Sequence, residues 1–198
     1  MTFRVALTFD AEHPDRPHRV GATEAVLDLL DAEGITSTFF LQGRWAEAYP
    51  TVARSVAERG HLIGNHSFYH ARMPLLTDAG LAADIRAAER AILAATGVDP
   101  RPWFRCPFGA GSGDLRVRAG LERLGYREVH WDVEGFDWRP STKGPAMGRR
   151  MTREAVARGD GAVLLLHPWT TATGRGLGAL ISGLRAEGAD FVRLDALA

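Results

Sequence analysis

Residues 22–65 read, in unbroken succession, ATEAVLDLLDAEG, ITSTFFL, QGRWAEAYPTVARSVAERG and HLIGN. Two stretches of helical period, Ala22–Glu33 and Trp45–Arg59, each stop at a glycine, Gly34 and Gly60. Glycine accepts the left-handed backbone that ends a helix, and here each one is followed at once by a short run of strand character, Ile35–Leu41 and Leu62–Asn65. The same unit recurs outward in both directions. Upstream, Phe3–Phe9 alternates as a strand does. Downstream, Asp78–Thr96 sets Leu81, Ile85, Ala88, Ile92 and Ala95 along one helical face, the stripe expected of an amphipathic helix. Strands are predicted at Trp103–Arg105, Arg127–Trp131, Ala162–His167 and Phe191–Leu194, and helices at Asp114–Leu124, Ala146–Arg158 and Gly176–Glu187. Strand–helix alternation with short connections predicts a parallel sheet covered by helices. About seven such units with no linker or repeat predict an α/β chain forming one domain over 1–198. The form they predict is a barrel, complete or incomplete, with an open doubly wound sheet as the alternative.

Composition narrows the function. The 198 residues carry 24 basic and 24 acidic side chains, a net charge of zero. That balance argues against a nucleic-acid binder, which needs a basic face to displace counterions, and against polybasic docking on anionic membranes. One cysteine, Cys106, excludes a disulfide framework or Cys-rich zinc module. The first strand starts almost at Met1, with no apolar leader pattern, and no apolar run exceeds the five residues of Ala162–Leu166, far short of the ~20 residues that span a bilayer. A cytoplasmic protein is therefore expected.

In a parallel barrel the chemistry gathers at the C-terminal ends of the strands, and polar residues cluster there. Strand one ends Asp10-Ala11-Glu12-His13; alternation projects Asp10 and Glu12 to one face and Ala11 away. Strand three ends in His66-Ser67-Phe68-Tyr69-His70, where a helical turn would let two imidazoles bind one metal ion. With Glu12 they form a His₂–carboxylate set, common at catalytic zinc. Arg105, at the tip of strand four, can hold a carboxylate ionised. His167 closes a very apolar strand, where an acid from the neighbouring strand end, among Asp132, Glu134 and Asp137, can orient one ring nitrogen. Trp131, Trp138 and Trp169 either pack the barrel or wall a sugar site. Cys106 has no evident partner base and reads as a packing residue. Gly109–Asp114 lacks the last glycine of a dinucleotide loop and reads as a turn.

In the order Thr8-Phe9-Asp10, His66-x-x-x-His70, Arg105-x-Pro107-Phe108, Glu134-x-x-Asp137-Trp138 and Leu164-x-Leu166-His167, the chain resembles the polysaccharide deacetylase superfamily (NodB-homology domains, carbohydrate esterases). The resemblance runs from the first strand to about His167. It implies a distorted (β/α)7 barrel and a divalent metal, usually zinc, assisting hydrolysis of an N- or O-acetyl group. It further implies Asp10 as general base, Glu12, His66 and His70 as metal ligands, Arg105 steadying the base, and His167 as general acid tethered by Asp137. Phe108, Trp138 and Leu166 fall at the substrate, Phe108 through its backbone N–H. The family usually follows the base with a second, metal-binding aspartate; Ala11 stands there, and Glu12 fits the branches that place the acid one residue later.

The expected activity is metal-dependent removal of an acyl group, in the first instance N-acetyl, from an amino sugar or short oligosaccharide. The ion is Zn²⁺ before Co²⁺, Mn²⁺ or Ni²⁺. Two alternatives stand beside it: an amidase or cyclic-imide hydrolase acting on a small molecule, and an inactive barrel that only binds carbohydrate.

Overall fold

The computed structural model of the protein describes residues 2–15 and 20–197. Eight strands and seven helices follow one another as β1 Phe3–Ala11, α1 Ala22–Ala32, β2 Thr38–Leu41, α2 Gly43–Ala48, α3 Pro50–Glu58, β3 Leu62–Asn65, α4 Asp78–Thr96, β4 Trp103–Phe104, α5 Leu115–Arg123, β5 Arg127–Glu128, β6 Val133–Glu134, α6 Gly144–Arg158, β7 Ala162–Leu166, α7 Thr171–Ala186 and β8 Ala189–Phe191. All ladders are parallel. The strand order is β5-β4-β3-β2-β1-β7-β6, with β8 also on β1. Read as a ring, this is the sequential order of a barrel interrupted between β5 and β6. The fold is the expected distorted, incomplete (β/α)7 barrel.

β1 is the central strand. Its middle, Val5–Phe9, pairs with β7, its C-terminal end, Thr8–Ala11, with β2, and its first residues, Phe3–Val5, with β8. Alternation sorts its side chains cleanly. Val5, Leu7, Phe9 and Ala11 pack outward against the helices in the main apolar cluster. Ala6 faces inward, joining Phe40 and Leu194 in a small cluster inside the barrel, and Thr8 and Asp10 meet Arg105 further along the same face. A parallel sheet buried on both faces needs near-continuous apolar strands, so the polar inward residues at the C-terminal end are the exception that marks the site.

Three expected elements differ, each for a local reason. The helix over 45–59 is two helices, because Pro50 cannot extend an existing turn and instead opens α3 at its first position. The strand expected over 127–131 stops at Glu128. The carbonyls of Val129 and His130 turn to the Arg105 guanidinium instead of a neighbouring strand, and the chain re-pairs as β6 on β7. The last strand ends at Phe191, and Arg193–Leu194 pass under the barrel, where the Leu194 N–H bonds Thr38.

Helices α6 and α7 approach most closely. A Cβ on Gly176 would fall on the Gly144 carbonyl, and one on Gly148 would lie 2.8 Å from the Gly176 carbonyl oxygen. The abundance of small residues in these helices is thus a packing device. No helix is long and apolar enough to cross a membrane, among the described residues.

Candidate active site and metal centre

A cavity of about 330 Å³ opens at the C-terminal ends of the strands, lined by Asp10, Glu12, His13, His66, His70, Phe108, Trp131, Glu134, Trp138 and Leu165. Asp10 and Glu12 share the inner face as alternation requires, while Ala11 is buried in the apolar layer outside. An acid at position 11 would point away from this cavity.

Glu12, His66 and His70 each offer a ligand atom, and these atoms lie within 4.8 Å of one another. His66 Nε2 is 3.2 Å from Glu12 Oε2 and 3.2 Å from His70 Nε2, and His70 Nε2 also reaches Glu12 Oε2. His66 Nδ1–H donates to the Arg105 carbonyl at 2.9 Å. That bond fixes the tautomer and leaves Nε2 with a lone pair facing the cluster, the outer support expected behind a metal-binding imidazole. Two ring nitrogens and a carboxylate oxygen converging in a buried site fit a divalent cation well.

The two histidines do not meet through a helical turn, as the i, i+4 spacing predicts. Residues 66–70 form an irregular bend in which Ser67 (φ 63°) and His70 (φ 58°) are left-handed. The bend is held from beneath. Asn65 accepts from the Ser67 N–H, and the Asp84 carboxylate on α4 accepts from Phe68 N at 2.9 Å and Tyr69 N at 3.0 Å. Asp84 is buried on an otherwise apolar helix face. That placement was the available sign of its role, and the amphipathic pattern passed over it.

His13 is a second residue that motif reading missed. It is left-handed (φ 59°), its N–H bonds Gln42 at 2.8 Å, and its Nε2 lies 3.0 Å from Glu12 Oε1. It thereby holds one carboxylate oxygen while the other faces His66 and His70. Burial opposes a charge on Glu12, but its contacts with His13, His66 and His70 hold its carboxyl well below the usual range. Burial pulls His70 down, whereas the nearby Asp10 and Glu12 charges outweigh burial at His66 and raise it.

Arg105 is fully buried and every part of it is used. Its Nη1 donates to Asp10 at 2.9 Å and Thr8 at 2.8 Å, Nε donates to the Val129 carbonyl, and the guanidinium lies 4.1 Å from the Phe40 ring centre. At the end of β7 His167 Nδ1–H donates to Asp137 at 2.8 Å, and Asp137 also accepts from the His167 backbone N–H and the Thr170 and Thr173 hydroxyls. Burial disfavours both charges, yet each stabilises the other: Asp137 is lowered and His167 raised well above an ordinary imidazole. His167 Nε2 faces Glu12 Oε1 at 3.7 Å.

Phe108 and Trp138 reach the cavity as expected, Phe108 with its ring 4.4 Å from that of His70. Trp138 Nε1–H donates to Glu134. Leu166 does not reach it: the residue is buried among the outer-layer side chains, and Leu165, one position earlier on the other face of β7, lines the cavity. Cys106 is buried, and burial pushes its thiol up, which leaves it a packing residue.

A parallel barrel with a Glu-His-His centre, a carboxylate on a buried arginine and an imidazolium on a buried aspartate has the parts of a hydrolase, and the family match makes it one acting on carbon–nitrogen bonds other than peptide bonds. The profile of the polysaccharide deacetylase family matches residues 2–129. The chain belongs to that family. It is 28% identical to the peptidoglycan-N-acetylmuramic acid deacetylase PdaA of Bacillus subtilis, over 98% of this chain and 70% of that protein. It is 38% identical to chitin deacetylase 1 of Saccharomyces cerevisiae over 69% of this chain and 42% of that one. Among solved structures, BA3943, a carbohydrate esterase family 4 pseudoenzyme from Bacillus anthracis, superposes with a TM-score of 0.87 at 25% identity over 99% of this chain and 65% of that one. A deacetylase solved with substrate, T48, superposes at 0.83 with 30% identity over 99% and 90%.

Proposed function

We propose that the protein removes the acetyl group from an N-acetylated amino-sugar residue of a glycan, with a divalent cation, zinc in the first instance, held by Glu12, His66 and His70. The observation that carries this reading is the pairing of that centre with a base and an acid beside it: Asp10, bonded to Arg105, and His167, whose Nε2 lies 3.7 Å from Glu12. The names of the related peptidoglycan and chitin deacetylases support the substrate class. The cation, when bound, supplies Lewis-acid polarisation of the acyl carbonyl and acidifies water in contact with it. Asp10, bonded to Arg105 and free of the ligand set, takes the proton from the attacking water. His167, kept protonated by Asp137, gives a proton to the departing nitrogen, without which an amine leaves poorly. Phe108, Trp131 and Trp138 wall the cavity against the sugar ring.

A barrel that binds glycan without hydrolysing it needs none of Asp10, Arg105, Asp137 or His167 in these contacts. Their joint placement favours catalysis even beside a neighbour named as a pseudoenzyme. The test is acetate release from N-acetylglucosamine oligomers by zinc-loaded protein, with a chelated sample and Asp10→Asn as controls. Acetate release by wild type alone is expected. Hydrolysis of a simple cyclic imide with no action on the oligomers would transfer the chemistry to a small-molecule amidase. Zinc binding with no hydrolysis of either would leave a carbohydrate-binding barrel.

A further inference from the structure

The two oxygens of Glu12 are engaged in different ways. Oε2 faces His66 Nε2 at 3.2 Å and reaches His70 Nε2, the convergence that fits a cation. Oε1 turns the other way, to His13 Nε2 at 3.0 Å. His167 Nε2, at 3.7 Å, is beyond hydrogen-bond distance, so among the described residues His13 is the one donor to Oε1. A carboxylate can hold a cation by one oxygen or by both. A centre with three one-atom ligands keeps an open position for water and substrate, which a second carboxylate oxygen would take.

His13 is built into its place. Its backbone is left-handed (φ 59°), uncommon for a residue with a side chain, and its ring centre lies 4.6 Å from that of His70 and 6.1 Å from that of Trp169. Gln42, just past the end of β2 and only 2% exposed, fixes that backbone. Its Oε1 accepts the His13 N–H at 2.8 Å, and its Nε2 donates to the Phe68 carbonyl at 3.1 Å. Turned end for end, the amide would set donor against donor and acceptor against acceptor, so one orientation satisfies both neighbours. A single buried side chain thus joins the tip of β1, which carries Glu12, to the bend that carries His66 and His70.

We propose that His13 is a positioning residue that reserves Oε1 and makes Glu12 a one-oxygen ligand, leaving the remaining positions to water and the acyl oxygen. The inference rests on Glu12, His66 and His70 as the metal centre of the deacetylase reading. Its test needs no turnover: the protein is loaded with Co²⁺ in place of zinc, and the visible bands of that ion weaken as its coordination number rises. His13→Phe keeps a ring beside His70 and Trp169 but has no N–H. His13→Gln loses the ring but carries an amide N–H the same number of bonds from Cβ as Nε2. His13→Phe is expected to show weaker cobalt bands than wild type, as Glu12 turns its second oxygen inward, and about tenfold weaker zinc binding in a chelator competition. His13→Leu, a smaller side chain that also lacks a donor, is expected to match it. His13→Gln is expected to keep the wild-type bands and most of the affinity. Wild-type bands in His13→Phe or His13→Leu would overturn the inference. So would weakened bands in His13→Gln, which would assign the effect to ring packing. Wild-type protein that binds neither ion would overturn the centre itself and the inference with it. Wild type that binds both ions yet releases no acetate from the oligomers would count against the deacetylase reading alone.

Discussion

His61 offers a stability test far from the catalytic chemistry. The ring is buried, with 5% of its surface exposed, against Phe39. Its Nδ1 accepts the Ser37 backbone N–H at 3.0 Å, and Nε2 has no partner. Protonation would therefore put a charge in an apolar site and turn an acceptor into a donor facing a donor. Burial, opposed by the Asp31 charge and aided by Arg59 and Arg193, pushes the group down to about 4. In the unfolded chain it titrates near ~6.5. Between those values the unfolded state binds the extra proton, so this contribution to stability is complete above pH 6.5, falls with pH, and levels off below pH 4. At about 1.4 kcal/mol per unit, the loss relative to pH 7 is about 2 kcal/mol at pH 5 and about 3 kcal/mol at pH 4. His61→Asn keeps an acceptor near Nδ1 and cannot titrate. Losing the ring should cost it roughly 1–2 kcal/mol at pH 7, a deficit that closes and then reverses on acidification. Urea unfolding of both proteins at pH 7, 5 and 4 measures this, since the other titrating groups are common to both. Stability curves that stay parallel from pH 7 to pH 4 would refute the reasoning.

Asp10→Asn should lower turnover at least ~100-fold while zinc content, measured by atomic absorption, stays at the wild-type level; loss of zinc with the activity would recast Asp10 as a ligand. Asp84→Ala removes the acceptor beneath the Phe68–His70 bend and should weaken zinc binding ~10-fold or more in a competition with a chromophoric chelator; unchanged affinity would make the Asp84 contacts incidental. Arg105→Lys keeps the charge but not the planar set of donors, and should destabilise the fold by about 3 kcal/mol in urea. Gly176→Ala should cost about 3 kcal/mol or prevent folding, because its Cβ meets the Gly144 backbone. Gly178→Ala, two residues on with open space around it, should instead stabilise α7 by up to ~1 kcal/mol. Equal melting temperatures for these two variants would contradict the close approach of α6 and α7.

The fold was legible because its signals are local and repeated. Each predicted helix, with the one over 45–59 resolved into α2 and α3, lies against an observed helix, and the glycines closing them have positive φ, as at Gly34 and Gly60. Legibility failed where a distant side chain overrides local pattern. Nothing within residues 127–134 announces that Arg105, more than twenty positions upstream, takes the carbonyls that a strand would have shared. The face of β1 assigned Asp10 and Glu12 correctly, since period-two alternation is geometric. Leu166 was carried over from a motif, and the same alternation on β7 gives its place to Leu165. His13 and Asp84 escaped notice because their roles depend on a left-handed loop residue and a buried acid, visible once Glu12 and the His66–His70 bend stand beside them.

Because β1 receives β7 and β8 as neighbours, the middle of the sheet is closed by contacts about 155 positions apart, such as Thr8 Oγ1 with the Leu164 carbonyl and Arg4 with Asp160. The most buried strand is thus the slowest to acquire its partners, and the base it carries takes its final setting only when the whole chain has assembled. A partly folded form would expose the apolar edge of β1 where β7 belongs, and aggregation during refolding should begin along that edge.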